Sequence, residues 1–199
     1  MTTGIVRYAL RARRRGRGFT LIELMIVVAI VGILSVLAAY GVQKYVASAK
    51  TAEARSALGQ IARDAATAYE KESMSGSVLR TGTSTATARQ LCASASTSVP
   101  AAAASIMGRK YQSKVSEWNV DAAGNSGFAC LKFSIDQPQY YMYSYAAHGS
   151  SSPGDGFTAT ARGDLNGDGV LSLFQITGSI SAQYALNVAP NLVEVRPDD

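Results

Sequence analysis

One carboxylate stands alone in a long apolar stretch near the start of the chain. Phe19–Val42 is 24 residues long, and Glu23 is its only charged residue. A carboxylate inside an apolar helix is costly, so by default it marks a functional position that needs a partner. The nearest cation would be a new α-amino group at Phe19, created by cleavage after Gly18. That amine could pair with Glu23 one helical turn away, or with Glu23 of a neighbouring copy shifted along the helix axis.

The second arrangement would couple charge compensation to assembly. Two groups that are costly when apart are compensated once apolar helices pack in the right register. A simpler interpretation is that Glu23, only five residues into the stretch, extends to the aqueous interface and needs no partner. The residues alone leave both interpretations open.

Side chains for catalysis are scarce. His148 is the only histidine and lies in a Gly/Ser loop, where we expect it to be solvated. No Ser/His/Asp or Cys/His arrangement and no metal cluster can be built around it. The nucleotide-binding motif G-x-x-x-x-G-K-[ST] is also absent from the sequence. We therefore expect a protein that is not an enzyme and that requires no cofactor.

One loop has oxygen side chains at the spacing of a calcium site. Its alternate positions are Asp164, Asn166 and Asp168, followed by Gly169. Further donors would be the carbonyl of Val170, then Ser172 and Gln175, where an EF-hand loop has a bidentate glutamate. Asn-Gly and Asp-Gly are equally typical of hairpin turns, and the flanking segments read as strands. We favour a plain turn and keep weak calcium binding as the alternative.

The chain has two cysteines, Cys92 and Cys130. A single pair in a domain exported beyond the cytoplasm predicts a disulfide bond. Two reduced, buried cysteines are the alternative.

The positive charge of the chain is confined to its first residues. The formal net charge is +5, and six arginines precede residue 19 without an acidic residue among them: Arg7, Arg11, Arg13, Arg14, Arg15 and Arg17. Without them the remainder carries 5 − 6 = −1. Its thirteen Lys and Arg residues are scattered, so we do not expect a nucleic-acid partner.

The apolar stretch predicts a membrane-spanning helix. A helix of 24 residues is about 36 Å long, enough to cross a hydrocarbon core of about 30 Å with some tilt. The arginines on its N-terminal side predict that residues 1–18 remain in the cytoplasm. The stretch is too long for a secretory signal peptide, and its small residue, Gly18, precedes the apolar run. Cleavage there would leave the helix on the mature protein.

The segment from Gly18 to Ile30, GFTLIELMIVVAI, carries a specific resemblance. It closely resembles the processing-site motif of type IV pilins and of type II secretion pseudopilins: a basic leader, Gly, Phe, Thr, an acidic residue four positions after Phe, and an unbroken apolar helix. The strong resemblance covers about residues 13–50. It departs from many members at Tyr40-Gly41, where they have a proline, so local unwinding near Gly32 and Gly41 stays open.

The resemblance implies how the chain is processed, where it is located and with what it assembles. A prepilin peptidase would cut after Gly18 and N-methylate Phe19, and Glu23 would direct assembly together with Phe19 and Thr20. The partners implied are identical or related subunits, an inner-membrane platform protein and a cytoplasmic assembly ATPase. The subunit would wait in the inner membrane as a single-pass protein and then enter an extracellular pilus. The alternatives are a periplasmic pseudopilin of a type II secretion system and a minor pilin that binds calcium, DNA or a surface.

The expected fold class is α+β, a long N-terminal helix packed on a small antiparallel sheet, as in pilins. A helical period continues beyond Val42 and becomes amphipathic, which predicts a helix to about Ser73. Alternating residues predict four strands in a meander: Phe128–Ile135, Gln139–Ala146, Phe157–Arg162 and Val170–Thr177. Arg109–Val120 is a further candidate for the beginning of the sheet. We expect Tyr141, Tyr143 and Tyr145 to pack from one strand face. The predicted segments are a leader (1–18), a transmembrane helix (19–42), an amphipathic helix (43–74), a Ser/Thr/Ala-rich connection (75–127) and a β-sheet head (128–199).

Overall fold

The structure is a computed structural model that describes residues 18–71 and 89–197. The remaining residues, which include most of the predicted leader and part of the predicted connection, lie outside the described residues. The chain divides into two compact units, one ending at Gln43 and the other beginning at Lys44. Each is described by itself below.

The first unit contains the start of a 50-residue helix, α1 (Leu21–Glu70). Its apolar side chains are exposed on every side, which is typical of a helix that lies in lipid or in an assembly. By length and composition this helix could cross a membrane. Helical geometry continues through Gly32 and Gly41, so neither glycine unwinds it in the single chain.

In the second unit, α1 becomes amphipathic and packs on a sheet, as predicted. Its buried residues recur at helical spacing and include small side chains that let the helix approach closely: Thr51, Ala54, Ala57, Leu58, Ile61, Ala62, Ala65 and Tyr69. The helix ends at Glu70, three residues before the predicted end at Ser73, and residues 72–74 lie outside the described residues.

The sheet is antiparallel throughout. Its strands are β1 (Tyr141–His148), β2 (Gly156–Gly163), β3 (Ser172–Ile180), β4 (Leu186–Val188) and β5 (Val193–Val195). The first three form a meander, and β4 and β5 pair with different ends of β3. The predictions for β1, β2 and β3 are confirmed to within a few residues. The two short C-terminal strands were not predicted.

Two glycines allow aromatic rings to lie flat across the sheet. Gly163 pairs with Tyr141 and Gly178 pairs with Phe157 in adjacent strands. A Cβ atom at Gly163 would lie 2.6 Å from the Tyr141 ring, and one at Gly178 would lie 2.3 Å from the Phe157 ring. Each ring therefore covers the backbone of its glycine partner.

The strand predicted at Phe128–Ile135 is wrong. The chain there forms a short helix, α3 (Gly127–Leu131), in which Phe128 and Leu131 are three residues apart and both reach the core. Lys132 ends the helix in the left-handed conformation, at a φ of 59°. Leu131 in the helix and Phe133 beyond it are both buried, and their spacing of two residues imitates the alternation of a strand.

The segment Arg109–Val120 does not begin the sheet. It contains one isolated bridge, from Tyr111 to Gln139, and a four-residue helix, α2 (Val115–Trp118). Trp118 at its end is buried and makes edge contacts with Phe128 and Phe133. The indole N–H donates to the hydroxyl of Ser113 at 2.9 Å, which satisfies the polar atom inside the core.

The described part of the predicted connection covers the free edge of β1. The amide of Ala95 donates to the carbonyl of Tyr145 at 3.0 Å, and Val99 and Tyr143 exchange two backbone hydrogen bonds of 2.9 Å. Edge strands expose unpaired backbone groups that invite aggregation, so this cover protects the sheet. Tyr141, Tyr143 and Tyr145 are buried on the face of β1, as predicted for packing residues.

Candidate functional site

The predicted assembly site consists of Phe19, Thr20 and Glu23, which lie around the beginning of α1. Thr20 precedes the first helical residue, and its amide and hydroxyl both donate to Glu23 Oε2, at 3.0 and 2.8 Å. The Glu23 amide donates back to Thr20 Oγ1 at 3.2 Å. This reciprocal arrangement is a capping box, in which Thr20 is the N-cap and Glu23 is the third residue of the helix.

The capping box gives Glu23 a local role that was not predicted from the sequence. A threonine followed three positions later by glutamate, just before an apolar run, is its sequence signature, and the chain reads Thr20-Leu-Ile-Glu23. A carboxylate in the first turn also faces the positive end of the helix dipole. The lone carboxylate in the apolar stretch is thus hydrogen-bonded in the single chain.

Apolar side chains surround this polar pair. Phe19 and Leu21 are each 78% exposed, and Ile22 is 66% exposed. Such a surface at the end of an apolar helix is stable only in a bilayer or against other apolar helices. The site therefore combines an unburied apolar surface with one carboxylate, next to the predicted cleavage position at Gly18.

The predicted cysteine pair forms a disulfide. Cys92 and Cys130 are bonded, with Cα atoms 5.8 Å apart and a sequence separation of 38. The bond joins α3 to the segment around Cys92, which continues into the residues that cover the edge of β1. Gly127 N–H also donates to the carbonyl of Ala93 at 2.9 Å, so the same two segments are held by a backbone contact.

Glu53 fastens α1 to the beginning of β1. Its carboxylate accepts the Tyr140 amide at 3.0 Å and the Tyr143 hydroxyl at 3.1 Å. Burial raises the pKa of Glu53 above its usual range, although these hydrogen bonds and the charge of Lys110 oppose the shift. Near it, Arg55 forms an ion pair with Glu194 of β5, at 2.7 Å.

The Asp164–Gly169 loop is a closed turn between β2 and β3. The buried carboxylate of Asp164 accepts the amides of Gly167 and Gly169 at 2.6 and 2.9 Å. Asn166 Oδ1 accepts the Asp168 amide, and Asp168 Oδ1 accepts the Val170 amide. These are side-chain-to-backbone turns that Asn and Asp commonly form.

The other candidate calcium ligands lie in β3. Ser172 is buried, and its hydroxyl donates to the carbonyl of Gly163 at 2.9 Å, so it does not join the loop oxygens. Gln175 lies three residues further along the strand, opposite Thr160 of β2. Within residues 18–71 and 89–197, no group of three or more His, Cys, Asp or Glu side chains is placed to hold a metal ion.

Comparison with known protein families finds a match at the N-terminal motif. Residues 13–39 match the model of the prokaryotic N-terminal methylation motif. No curated protein and no solved structure matches the chain. The matched range contains Gly18, Phe19, Thr20 and Glu23, and the remainder of the chain has the α+β architecture expected of a pilin. The chain therefore carries the prepilin-type methylation motif of type IV pilins and pseudopilins, followed by a long helix packed on a small antiparallel sheet.

Proposed function

We propose that the chain is a structural subunit of a type IV pilus-like filament. The apolar half of α1 would hold the precursor in the inner membrane, with the leader in the cytoplasm. Prepilin peptidase would cut after Gly18 and methylate the new terminus at Phe19. The observation that supports this most is the methylation motif at residues 13–39, which has Glu23 in the first turn of the exposed, apolar half of α1.

Cleavage would change the chemistry of the first turn. It would replace the Gly18–Phe19 peptide bond by a cation at Phe19, next to the capping box of Thr20 and Glu23. An ammonium and a carboxylate are costly in an apolar environment unless they are paired and hydrogen-bonded. Pairing between neighbouring subunits, one shifted along the axis, satisfies both and fixes the register in which apolar helices pack. Burial of the exposed apolar side chains supplies the driving force.

The second unit would form the outer surface of the filament. Within this unit, Glu53 holds the amphipathic half of α1 on the sheet, and the disulfide joins the segment at Cys92 to α3. In this proposal it also prevents the amphipathic half of the helix from aggregating. An inner-membrane platform protein and a cytoplasmic ATPase would drive assembly, as the resemblance to type IV pilins implies.

A periplasmic pseudopilin of a type II secretion system is the alternative. The long connection between α1 and the sheet favours an extracellular pilus, whereas the Cys92–Cys130 disulfide fits both destinations because the periplasm is oxidising too.

Shearing and ultracentrifugation test the proposal. Cells that produce the chain are sheared, and the supernatant is pelleted and examined by electron microscopy with antibodies against the second unit. We expect labelled filaments that contain the processed subunit, and none from cells that carry Gly18→Lys, which blocks the cut. Subunit that is processed but stays in the detergent-soluble membrane fraction would contradict a filament role. Labelled filaments confined to the periplasm, with loss of protein secretion in a deletion strain, would assign the chain to the pseudopilins.

A further inference from the structure

The Cys92–Cys130 bond lies at the wall of a cavity in the second unit. The cavity has a volume of about 640 Å³, and both cysteines line it. Cavities of about 300–1,000 Å³ are typical of sites that admit small molecules. The disulfide is the reactive group at this wall, and small thiols react with disulfides by exchange. The cavity therefore offers such a thiol a route to the bond.

The two cysteines differ in burial. Cys92 is 4% exposed and belongs to the hydrophobic core, where its carbonyl accepts the Tyr145 hydroxyl at 3.3 Å. Cys130 is half-buried and packs against that core. In thiol–disulfide exchange the attacking sulfur approaches in line with the S–S bond, from behind the sulfur that it attacks. Attack on Cys130 therefore comes from the more open side, whereas attack on Cys92 would require an approach through the core.

The charge of the cavity suits an anionic thiol. Lys71 and Lys132 line the cavity together with the disulfide, and none of the described residues that line it is acidic. The attacking species in exchange is the thiolate, and neighbouring cations stabilise a thiolate. The two lysines would therefore attract an anionic thiol and stabilise the thiolate that each exchange step releases.

We infer that this cavity is an entry site for a small anionic thiol, at which Cys130 is attacked and Cys92 is the leaving group. The incoming thiolate forms a bond to Cys130 Sγ, and the Cys92–Cys130 bond breaks with its electron pair on Cys92 Sγ, which takes a proton from water. A second thiol cleaves the mixed disulfide and releases Cys130. The protein disulfide thus gains two electrons while two thiols are oxidised to one disulfide. The same steps in reverse form the bond, so Cys130 carries the mixed disulfide in both directions.

Mapping of the mixed disulfide on the processed subunit tests this inference, and it does not depend on filament assembly. The folded wild-type protein in detergent is treated briefly with excess glutathione, quenched with acid and unfolded, and its free thiols are labelled with a maleimide. We expect glutathione on Cys130 and maleimide on Cys92, in an excess of about tenfold or more over the opposite product, because exchange follows access to each sulfur. Protein unfolded before the reaction is the control and should give both products.

Two double variants test the role of the cavity lysines. Lys71→Gln/Lys132→Gln removes both ammonium groups from the cavity, whereas Lys110→Gln/Lys114→Gln removes the same charge from residues that do not line it. The rate of reduction is measured with anionic glutathione and with cationic cysteamine. We expect the ratio of the two rates to fall by about threefold or more in the first variant and to change little in the second, because charges that line a cleft attract ions of opposite sign.

Three outcomes would overturn the inference. Glutathione on Cys92, or on both cysteines equally, in the folded protein would contradict the assignment of Cys130. A disulfide that resists glutathione in the folded protein and reacts only after unfolding would show that the cavity admits no thiol. An unchanged rate ratio in Lys71→Gln/Lys132→Gln, or an equal fall in both double variants, would exclude the role of the two lysines. Near-ultraviolet circular dichroism before the reaction confirms that each variant is folded.

Discussion

Thr20 and Glu23 hold each other at the first turn of α1. Glu23 Oε2 accepts both the amide and the hydroxyl of Thr20, and the Glu23 amide donates to Thr20 Oγ1. The side chain proposed to direct assembly therefore also caps the N-terminus of the helix together with Thr20. Any experiment on Glu23 must separate these two roles, because a change to alanine abolishes both.

Glu23→Gln separates charge from capping. Glutamine at this position can still complete a capping box, but it cannot balance an ammonium at Phe19. We expect the variant to insert in the membrane and to be processed, while filament yield falls by more than about tenfold because each added subunit buries an unpaired cation. Filament yield is measured by shearing and immunoblotting, and processed subunit should accumulate in the inner membrane. Filaments of wild-type length and yield would mean that apolar packing alone carries assembly.

Thr20 variants are the complementary control. Thr20→Ser keeps the hydroxyl that donates to Glu23 and should assemble like the wild type. Thr20→Val removes it but leaves the Glu23 charge, so we expect only a modest loss of filaments. If Thr20→Val abolished assembly as completely as Glu23→Gln, the capping box rather than the charge would be the essential feature.

The Cys92–Cys130 bond should stabilise the second unit substantially. A closed loop with a separation of 38 residues corresponds to about 4 kcal/mol in the chain-entropy model. We expect the variant Cys92→Ser/Cys130→Ser to melt roughly 5–15 °C lower, as followed by circular dichroism of the purified subunit. Thiol labelling of the denatured but unreduced wild-type protein should modify no cysteine. Two labelled thiols would contradict the bond.

A glycine that lies under an aromatic ring in the sheet should tolerate alanine less well than a glycine with open space around it. Gly163→Ala places a methyl group 2.6 Å from the Tyr141 ring, so the ring must move. We expect a loss of about 1–3 kcal/mol in the free energy of unfolding, measured by urea titration. Gly124→Ala is the matched control, since its new atom would lie 3.6 Å from Ser126 Oγ, an ordinary contact. Equal stability of the two variants would show that the sheet does not depend on the Tyr141–Gly163 pair.

The Asp164–Gly169 turn should be independent of calcium. Its own hydrogen bonds close it, Ser172 is occupied by Gly163, and Gln175 replaces the usual carboxylate. We therefore expect the melting temperature to be the same in millimolar calcium and in excess chelator. A calcium-dependent rise that disappears in Asp168→Asn, a change that keeps the acceptor for the Val170 amide, would establish the loop as a calcium site instead.

The sequence predicted those parts of the fold whose pattern is long or local. The apolar stretch from Phe19, the amphipathic continuation of α1 and the alternating strands β1 to β3 were all identified, and so was the cysteine pair. Each depends on a repeated period, on a short motif or on a simple count. The methylation motif at residues 13–39 was recognisable for the same reason.

The sequence failed where tertiary contacts decide the local structure. The apolar residues Ala129, Leu131, Phe133 and Ile135 alternate well enough to predict a strand. The left-handed Lys132 and the disulfide at Cys130 fix a short helix there instead. The strands β4 and β5 have three residues each and form only because β3 offers them an edge. The partners of Glu53 also come from distant parts of the chain, so no spacing rule could identify them.

If the chain is a prepilin cut between Gly18 and Phe19, the intact mass of the mature subunit will show it. We expect a protein of 199 − 18 = 181 residues with one added methyl group, and tandem fragmentation should place this group on the amine of Phe19. Gly18→Ala should be cut in part, whereas Gly18→Lys should leave only precursor in the membrane. A filament or membrane subunit that still carries Arg13 to Arg17, or one cut on the far side of the apolar stretch, would rule out a prepilin cut after Gly18.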